Sequence, residues 1–411
     1  MAKITPFKAI RPVRDKVHLV ATRPIYSYKK NVLESKLEDN PYTFLHIINP
    51  EFGGERTTQP NTPERFELVK KEYQAFLEQG ILMKEETPRI YIYRQTKNGH
   101  VFTGVVAGAS NQEYREDKIK KHEATLTSRE EMFIDYLDIV GFNAEPVLLS
   151  YPHNESIGGK IKEITSNRPE YEFTTTDRVK HDLWVLSENE TFDLQLLFEE
   201  VEALYIADGH HRSASSVGLE DRRLEEKRNS YANESSFLAF MIDECELQIL
   251  EFNRVIHSVN GMTEDEFIQK ISDSFIVEKC DALHRPEKEH DLIVCIKGSW
   301  YKLTCKSHII EKDHPVNSLD AEILTQYILR PVLNIQDLKT DKNIDFIGGA
   351  TPVEKIVDWI NEGKYELAVF LHPVTIDEVK KVADNQMIMP PKSTWVEPKL
   401  RSGMTIYAIN E

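Results

Sequence analysis

The sequence has few cysteines and no long apolar run. Its four cysteines, Cys245, Cys280, Cys295 and Cys305, are too widely spaced for a CxxC metal site and too few for a disulfide framework in a chain of 411 residues. The first ten residues contain no apolar signal-peptide core, and no later stretch approaches the roughly 20 apolar residues that cross a bilayer. We therefore expect a cytoplasmic protein with reduced cysteines and no membrane partner.

An excess of positive charge is also missing. The formal net charge is −17, and the sequence contains no long run of Lys and Arg. Duplex DNA is a dense polyanion, so it repels an acidic chain that has no segregated basic face. We predict no nucleic-acid partner. A phosphate pocket needs only a few backbone amides and one or two cations, so the acidity does not exclude a phosphorylated small molecule.

Four widespread catalytic signatures are absent from the sequence. It contains no GxxxxGK(S/T) phosphate loop, no HExxH zinc motif, no GxSxG nucleophile elbow and no strand-borne GxGxxG fingerprint. The common nucleotide-binding, zinc-protease and hydrolase frameworks are therefore unsupported.

Length and composition are those of an ordinary globular protein. Hydrophobic residues make up 40% and charged residues 29% of the chain, which predicts sizeable cores. A chain of this length exceeds what one core serves, so we predict two domains, residues 1–260 and 261–411. Strand and helix signals alternate along both, which predicts a mixed α/β or α+β fold class.

The strongest local signals are one helix and one hairpin. A helix is predicted between Thr62-Pro63, which is typical of a helix start, and Gly80, which is typical of a helix end, because apolar residues recur at helical spacing between them. Asn98-Gly99 between two β-rich runs predicts a hairpin. Further strands are predicted at residues 17–20, 44–48, 145–151, 180–186, 203–207, 236–242, 246–252, 291–296 and 300–304. Further helices are predicted at residues 128–139, 191–201, 264–275, 318–329, 352–361 and 376–384, and from about residue 212.

The main candidate site is the motif Ala-Asp-Gly-His-His-Arg at residues 207–212, at the end of a predicted buried strand. A helix that starts there aims backbone amides and a positive dipole end at one point, which suits an anion. Gly209 permits close approach, Arg212 offers a planar fork of donors, and His210 and His211 add further donors. Of the two histidines, His210 is the candidate catalytic residue. Asp208 could orient or deprotonate a hydroxyl, or help to hold Mg²⁺. A plain turn with an N-cap is the alternative.

A basic segment that follows the hairpin is a second candidate. Glu123 could act as a general base, although a solvated basic turn explains the pattern equally well. The candidate phosphate ligands here are Lys120, Lys121, His122 and Thr125.

A proline-stiffened loop near the C-terminus is the third candidate. It could form a lid or a phosphate clamp, and structural docking of the tail is the alternative. Its candidate phosphate ligands are Lys392, Ser393, Thr394 and Lys399.

Six motifs along the chain carry a family resemblance. They lie at residues 6–12, 40–46, 120–125, 207–212, 253–255 and 389–394. Together they resemble a prokaryotic family of unknown function. The Asp-Gly-His-His-Arg segment is in turn similar to the Asp-Gly-His-x-Arg of free serine kinases, and more remotely to the corresponding loops of ParB nucleotidases and sulfiredoxins.

The kinase resemblance implies a ParB/sulfiredoxin-like core, here with an additional C-terminal α/β domain, in which the loop binds phosphate. It also implies a carboxylate that activates the hydroxyl of a free amino acid, and Glu123 is our expected residue by type and neighbourhood. The motif positions that match directly are Asp208, Gly209, His210 and Arg212.

Two residues depart from the pattern of the relatives. Ser213, which we include among the substrate-binding candidates, stands where relatives often have an aromatic residue. Ser27 stands where an aspartate is expected, which puts a catalytic role of the N-terminal segment in doubt. Sulfiredoxin chemistry needs a thiolate in the loop, and all four cysteines lie elsewhere.

The leading hypothesis is phosphoryl transfer between a nucleotide or other donor and a small hydroxyl metabolite. Free L-serine and O-phosphoserine are the best pair, the direction could favour serine, and ADP, ATP or pyrophosphate with Mg²⁺ is the expected donor or acceptor. The alternatives are a phosphatase for a phosphorylated metabolite and a non-catalytic regulator that binds a nucleotide or phosphometabolite. The identity of any metal-binding residues and the formation of a homodimer stay open.

Overall fold

The computed structural model describes three stretches of the chain, residues 2–228, 230–280 and 285–411. They form two compact units, each described by itself. Unit 1 comprises Met1–Lys121, Thr125–Leu247 and Pro398–Glu411. Unit 2 comprises His122–Ala124 and Gln248–Glu397. The predicted domain boundary at residues 260–261 lies inside unit 2, and the end of the chain returns to unit 1.

Strands and helices alternate along the described residues. The strands are β1 (Ile4–Thr5), β2 (Ile10–Pro12), β3 (Leu82–Lys84), β4 (Tyr91–Lys97), β5 (His100–Ser110), β6 (Ile119–Lys120), β7 (Phe142–Asn143), β8 (Val147–Tyr151), β9 (Tyr171–Thr174), β10 (Lys180–Val185), β11 (Leu204–Asp208), β12 (Ser236–Asp243), β13 (Gln248–Leu250), β14 (Phe252–Ile256), β15 (Phe275–Cys280), β16 (Asp291–Ile296), β17 (Ser299–Cys305), β18 (Ile344–Gly348), β19 (Leu367–Phe370), β20 (Trp395–Glu397) and β21 (Tyr407–Ala408). The α-helices are α1 (Val17–Val20), α2 (Lys30–Asp39), α3 (Leu45–Ile48), α4 (Pro63–Glu78), α5 (Asn111–Arg115), α6 (Thr127–Val140), α7 (Glu155–Thr165), α8 (Glu188–Phe198), α9 (His210–Glu225), α10 (Glu264–Ile271), α11 (Asp320–Leu324), α12 (Val353–Asn361) and α13 (Ile376–Asp384). A π-helix over Thr325–Leu329 continues α11, and short 3₁₀ turns occur at Ile25–Ser27, Ala232–Ser235 and Ser307–Ile309.

Unit 1 is organised around a mixed sheet. Its strands follow the order β6-β11-β8-β12-β5-β4-β10-β9, and β1 pairs with the end of β5 beyond β4. The β11–β6 and β12–β8 pairs are parallel and the other pairs are antiparallel. The strand that leads to the Asp-Gly-His-His-Arg motif, β11, therefore lies between two neighbours near one side of the sheet.

Alternating apolar residues place the main core of unit 1 against one pair of helices. Val105 and Leu149 of the sheet pack in one cluster with Ile157 and Ile161 of α7 and Phe198 of α8. Helix α9 packs on β8 and β12, and α6 packs on α9. The start of α9 is thus fixed by both the sheet and a neighbouring helix.

The predicted hairpin and the predicted helix after Thr62 are both confirmed. Asn98 and Gly99 connect β4 to β5 with φ values of 50° and 82°, and a two-residue turn with positive φ at both positions matches the twist of the strands. Helix α4 begins with Pro63 at its first position, and the Thr62 side chain accepts a hydrogen bond from the Arg65 amide.

Two predicted strands are wrong. Residues 17–20 form α1, and residues 45–48 of the second segment form α3. Val17 and Val20 are both buried, which is the spacing of one helical face, but four apolar residues do not distinguish a helical turn from a short strand. The predicted strand at residues 246–252 is divided, because β13 ends at Leu250 and β14 begins at Phe252.

Unit 2 is built around an antiparallel sheet in the order β15-β17-β16-β19-β14-β18. One face carries a core with α10 and α11, which includes Ile256, Phe267 and Leu324. The other face carries a smaller core with α12, which includes Val255 and Ile356. Strands β13 and β20 form a separate antiparallel pair. Strand β14 therefore has both faces buried.

The coarse fold class is confirmed, because both units combine sheets with packed helices. The ParB/sulfiredoxin-like core stays a prediction. Within the part of the chain that the structure describes, no helix has the length and apolar character that a membrane crossing requires.

Candidate phosphate-binding site

The end of β11 and the start of α9 bring the predicted motif together. Residues 204–207 are buried, and the pairing of β11 with β8 shifts register between Ile206 and Asp208. Such a bulge redirects the chain at the end of a strand. Gly209 follows with φ +104° and ψ 29°, and α9 begins at His210, two residues before its predicted start. A side chain at position 209 would strain this turn.

Asp208 lies between two cations. Arg212 Nη2 donates to Asp208 Oδ2 at 2.7 Å, and Arg212 Nη1 donates to the Pro146 carbonyl at 2.5 Å. Lys399 Nζ lies 3.8 Å from Asp208 Oδ1. An added Cβ at Gly209 would lie 3.0 Å from the guanidinium group, so the arginine folds over the glycine. The structure thus brings together four of the predicted site residues: Asp208, Gly209, Arg212 and Lys399.

The ion pair at Asp208 is partly open to solvent. The Asp208 side chain is 37% exposed, and the Arg212 and Lys399 side chains are each 26% exposed. Pairs with this degree of exposure contribute only about 0–1 kcal/mol to stability. The cluster therefore contributes little to the stability of the fold, and it places two cations and one carboxylate near the positive end of the α9 dipole.

The first turn of α9 uses hydroxyl groups internally. Ser213 is buried, and its hydroxyl donates to the His210 carbonyl at 3.0 Å. Ser215 and Ser216 donate in the same way to the carbonyls of His211 and Arg212, at 2.5 and 3.0 Å. The hydroxyl of Ser213 is thus directed into its own helix, although sequence made it a substrate-binding candidate. His210 is buried, whereas His211 is half-buried.

The segment after Lys399 connects this cluster to a cavity of about 560 Å³ in unit 1. The Lys399 carbonyl accepts from Gln95 Nε2 at 3.3 Å, which fixes the segment to β4. Two residues on, the buried side chain of Arg401 lines the cavity. Ser402 then forms a β-bridge with Thr22, which lies on the same cavity wall. A volume of this size suits a small-molecule ligand.

Opposite charges face each other in the cavity. Arg401 Nη2 contacts Asp177 Oδ2 at 2.7 Å and also donates to Thr175 Oγ1 at 3.1 Å. Burial would raise the pKa of Asp177, but the Thr175 hydrogen bond and the charge of Arg401 outweigh it and lower the pKa to about 2. Burial, helped by the Arg401 charge, lowers the pKa of His181 to about 3. At neutral pH the carboxylate is charged and the imidazole is neutral.

Sequence reasoning missed the cavity residues. Asp177 stands in a polar turn, and Arg401 lies just beyond the predicted tail loop, so neither belongs to a recognisable motif. Their contact joins residues 224 positions apart, which spacing cannot reveal. The available signal was a second cation, Arg401, two residues after Lys399 at the end of the predicted loop.

The basic segment is divided between the two units. Lys121, in unit 1, places Nζ 4.2 Å from the centroid of the Tyr114 ring and donates to the Tyr114 carbonyl at 3.4 Å. Lys120 lies in β6 opposite Tyr205, and Thr125 is half-buried. Glu123, the predicted base, belongs to unit 2.

His122 and Glu123 belong to unit 2. The His122 side chain is buried, and its carbonyl accepts a hydrogen bond from the Met389 amide at 2.9 Å. Glu123 is half-buried. The structure thus connects the start of the predicted tail loop to the His-Glu pair, and the catalytic role of Glu123 stays a prediction.

The remaining tail candidates also lie in unit 2. Lys392 has φ +59°, and its Nζ lies 5.7 Å from the centroid of the Phe252 ring. Ser393 is buried and donates to the Pro390 carbonyl at 2.8 Å, whereas Thr394 is half-buried. The Ser393 hydroxyl therefore stabilises the loop itself.

One group of potential metal ligands occurs in the described residues. Potential ligand atoms of His153, Asp243 and Cys245 lie within 4.8 Å of one another. Asp243 pairs with the end of β8, whereas Asp208 pairs with its beginning. These residues are therefore at the other end of β8 from the phosphate-binding candidate, and Mg²⁺ at Asp208 stays a prediction.

Several solved structures are similar to this chain at low identity. A mutant of a free serine kinase in complex with AMP is 11% identical, with a TM-score of 0.38 and coverage of 75% of this chain and 91% of that chain. SbnI with a C-terminal truncation, from Staphylococcus aureus, is 12% identical, with a TM-score of 0.40 and coverage of 74% and 87%. A conserved hypothetical protein from Pyrococcus furiosus is 14% identical, with a TM-score of 0.36 and coverage of 74% and 95%.

No curated protein matches the chain. A family model described as a protein of unknown function, DUF1015, matches residues 4–322. The match spans more than half of the chain and includes five of the six motifs that carried the predicted resemblance. The chain therefore belongs to the DUF1015 family of proteins of unknown function.

Proposed function

We propose that this protein transfers a phosphoryl group between a nucleotide or pyrophosphate and a small hydroxyl metabolite. The supporting observation is the position of Asp208, held between Arg212 and Lys399 at the start of α9. Phosphoryl transfer requires mainly positioning of the reactants and neutralisation of charge on the transferred group. Two cations beside a carboxylate supply the parts that such a reaction needs.

Arg212 is ordered before any ligand arrives. Its guanidinium is fixed by the Pro146 carbonyl on one side and Asp208 on the other. A phosphoryl group that reaches the start of α9 competes with Asp208 for Arg212 and Lys399. The exchange of partners releases the carboxylate of Asp208 to accept the proton of a nearby hydroxyl group. Mg²⁺ would be held chiefly by the phosphates of the nucleotide.

The cavity in unit 1 favours a free amino acid as the hydroxyl substrate. A zwitterion needs a cation for its carboxylate and an anion for its ammonium group, and Arg401 and Asp177 provide this pair. Within the described residues, Arg401 Nε has no hydrogen-bond partner although the side chain is buried, so it can still receive a carboxylate oxygen. Free L-serine and O-phosphoserine are the first substrates to test.

The test is product analysis by mass spectrometry. Purified protein is incubated with Mg²⁺, with serine or phosphoserine, and with ADP, ATP or pyrophosphate in turn. We expect nucleotide-dependent interconversion of serine and phosphoserine. Phosphate release that needs no nucleotide would instead identify a phosphatase, and binding without turnover would identify a regulator.

A matched pair of variants assigns the activity to the site. Arg212→Lys keeps the charge but loses the planar fork, so kcat/KM should fall about 10²–10³-fold. Arg222→Lys is the control, because Arg222 also lies on α9 and also pairs with an aspartate, at 2.5 Å from Asp135. Absence of turnover in every combination, or equal activity of the two variants, would contradict the proposal.

A further inference from the structure

Arg254 in unit 2 is a buried arginine with unsatisfied donors. It lies in the middle of β14, is fully buried, and is the largest fully buried side chain of the described residues. Its Nη1 donates to the Phe252 carbonyl. Among residues 2–228, 230–280 and 285–411, Nε and Nη2 have no hydrogen-bond partner. A buried charge that lacks partners is strongly unfavourable.

Another buried arginine shows how this protein otherwise satisfies such a group. Arg223 in unit 1 is only 4% exposed, and it contacts two carboxylates and an amide. Its nitrogens lie 2.9 Å from Asp138 Oδ1 and from Glu234 Oε2, and 3.0 Å from Asn410 Oδ1. Arg254 has no carboxylate of this kind among the described residues within salt-bridge distance, and burial lowers its pKa to about 9.

The unsatisfied atoms of Arg254 have a specific geometry. Nε and Nη2 lie on the same edge of the guanidinium plane, and two parallel N–H groups on one edge match two oxygens of a carboxylate or phosphate. The opposite edge is used by the Phe252 carbonyl. The orientation of the group is therefore already fixed, and the edge that remains is the one that binds oxyanions.

The surroundings of Arg254 connect it to the predicted tail loop. The guanidinium carbon lies 5.4 Å from the centroid of the Phe346 ring, on the neighbouring strand β18. Phe346 packs against Phe252, and Lys392 places its ammonium 5.7 Å from the centroid of the Phe252 ring. Two cations thus flank one aromatic pair. Trp395 packs on Phe252 as well, with ring centroids 5.6 Å apart.

We propose that Arg254 binds an oxyanion, the carboxylate or phosphate group of a small ligand, in unit 2. The Nε–Nη2 edge binds the two oxygens, and Lys392 adds a second positive charge. The ligand would enter at the Phe252 end of β14, where Lys392 and Trp395 pack on the Phe252 ring. The inference does not rest on phosphoryl transfer, because it concerns binding alone.

The test measures binding in a protein whose candidate site on α9 is disabled, and substitutions at Arg254 then distinguish binding at Arg254 from binding at Arg401. In an Arg212→Ala background, inorganic phosphate, pyrophosphate and acetate are each titrated by calorimetry, and the thermal unfolding midpoint is recorded with and without each anion. We expect at least one anion to bind and to raise the midpoint. Binding of phosphate or pyrophosphate alone identifies a phosphate site, and binding of acetate identifies a carboxylate site.

Substitutions at Arg254 make the test decisive. Arg254→Met should weaken binding by roughly 30-fold or more, since loss of one partner of a buried charge pair has effects of that size. Without ligand, the same variant should raise the unfolding midpoint, because it removes an unpaired buried charge. Arg254→Lys keeps the charge without the fork and should weaken binding by about tenfold. If Arg254→Met does not fold, the anion affinity of Arg254→Lys tests the proposal.

Arg223→Met is the matched control. It removes a buried arginine that already has its partners, so it should lower the unfolding midpoint and leave anion binding unchanged. Failure of all three anions to bind in the Arg212→Ala protein would overturn the inference. So would a lower midpoint of Arg254→Met with unchanged anion affinity, which would make Arg254 a structural residue. Either result leaves the phosphoryl-transfer assay unaffected.

Discussion

Substitution of Gly209 by alanine should separate backbone strain from site geometry. The φ of +104° lies beyond the usual left-handed region, so an L side chain costs about 1–2 kcal/mol of folding free energy there. The new Cβ would also lie 3.0 Å from the guanidinium of Arg212, which must move by a few tenths of an ångström. That movement displaces the guanidinium group, which lies 2.7 Å from Asp208, from the position at which it would donate a hydrogen bond to a bound phosphate group. Hydrogen bonds to charged groups contribute about 1.5–3 kcal/mol, which corresponds to roughly 10–150-fold in affinity.

The control is Gly80→Ala, at a glycine with φ +67° and nothing within 4 Å of an added Cβ. Gly80→Ala should lose less stability than Gly209→Ala in urea unfolding, and only Gly209→Ala should lose pyrophosphate affinity in calorimetry. Equal affinity of the two variants would refute the reasoning that Gly209 positions Arg212. A loss of affinity in Gly80→Ala would show that general destabilisation, rather than the site, controls binding.

Two further predictions concern the fold of unit 1. His181 is fully buried, and its pKa is lowered to about 3. Below pH 6.5 the unfolded chain therefore binds a proton at this residue, whereas the folded protein does not. The free energy of unfolding should fall by about 2–3 kcal/mol from pH 7 to about pH 4.5. His181→Gln should remove that pH dependence in denaturant unfolding. The control His100→Gln, at an exposed histidine, should keep it. An unchanged dependence of the free energy of unfolding on pH in His181→Gln would contradict this account. Gly104→Ala places a Cβ 2.5 Å from the Phe240 ring and 2.6 Å from the Met241 carbonyl, and should cost at least about 1–3 kcal/mol. The control is Gly158→Ala in α7, where an added Cβ meets nothing within 4 Å and should stabilise the protein slightly. Similar melting curves for the two alanine variants would contradict the close packing of β5 on β12.

Local chemistry made some features predictable from sequence. The Asn98-Gly99 turn and the Thr62 cap have few alternatives, because each requires a specific residue type at one position. The contact between Asp208 and Arg212 follows from a strand that stops at a glycine before a helix, since the residues are four apart. The short helix at Val17–Val20 was not predictable, because its conformation depends on the core that covers it.

The rest of the site depends on contacts between distant parts of the chain. Lys399 reaches Asp208 only because the last segment returns to unit 1 and is fixed to β4 by Gln95. Arg401 meets Asp177 for the same reason. Such pairings are determined by the packed sheet and not by local sequence, so spacing could identify the motif but not the second cation or the cavity.

Charge explains why this cluster suits a phosphate group in an acidic protein. Two cations gather around the Asp208 carboxylate and raise the local positive charge, whereas the chain as a whole carries −17. The positive end of α9 adds to that local charge, and phosphate anions are favoured at such helix starts. The surrounding negative charge repels anions elsewhere on the surface, so an anion gains most at the few places where cations gather. Because the partly exposed ion pairs contribute little to stability, our proposal assigns the glycine turn and its two cations to ligand binding.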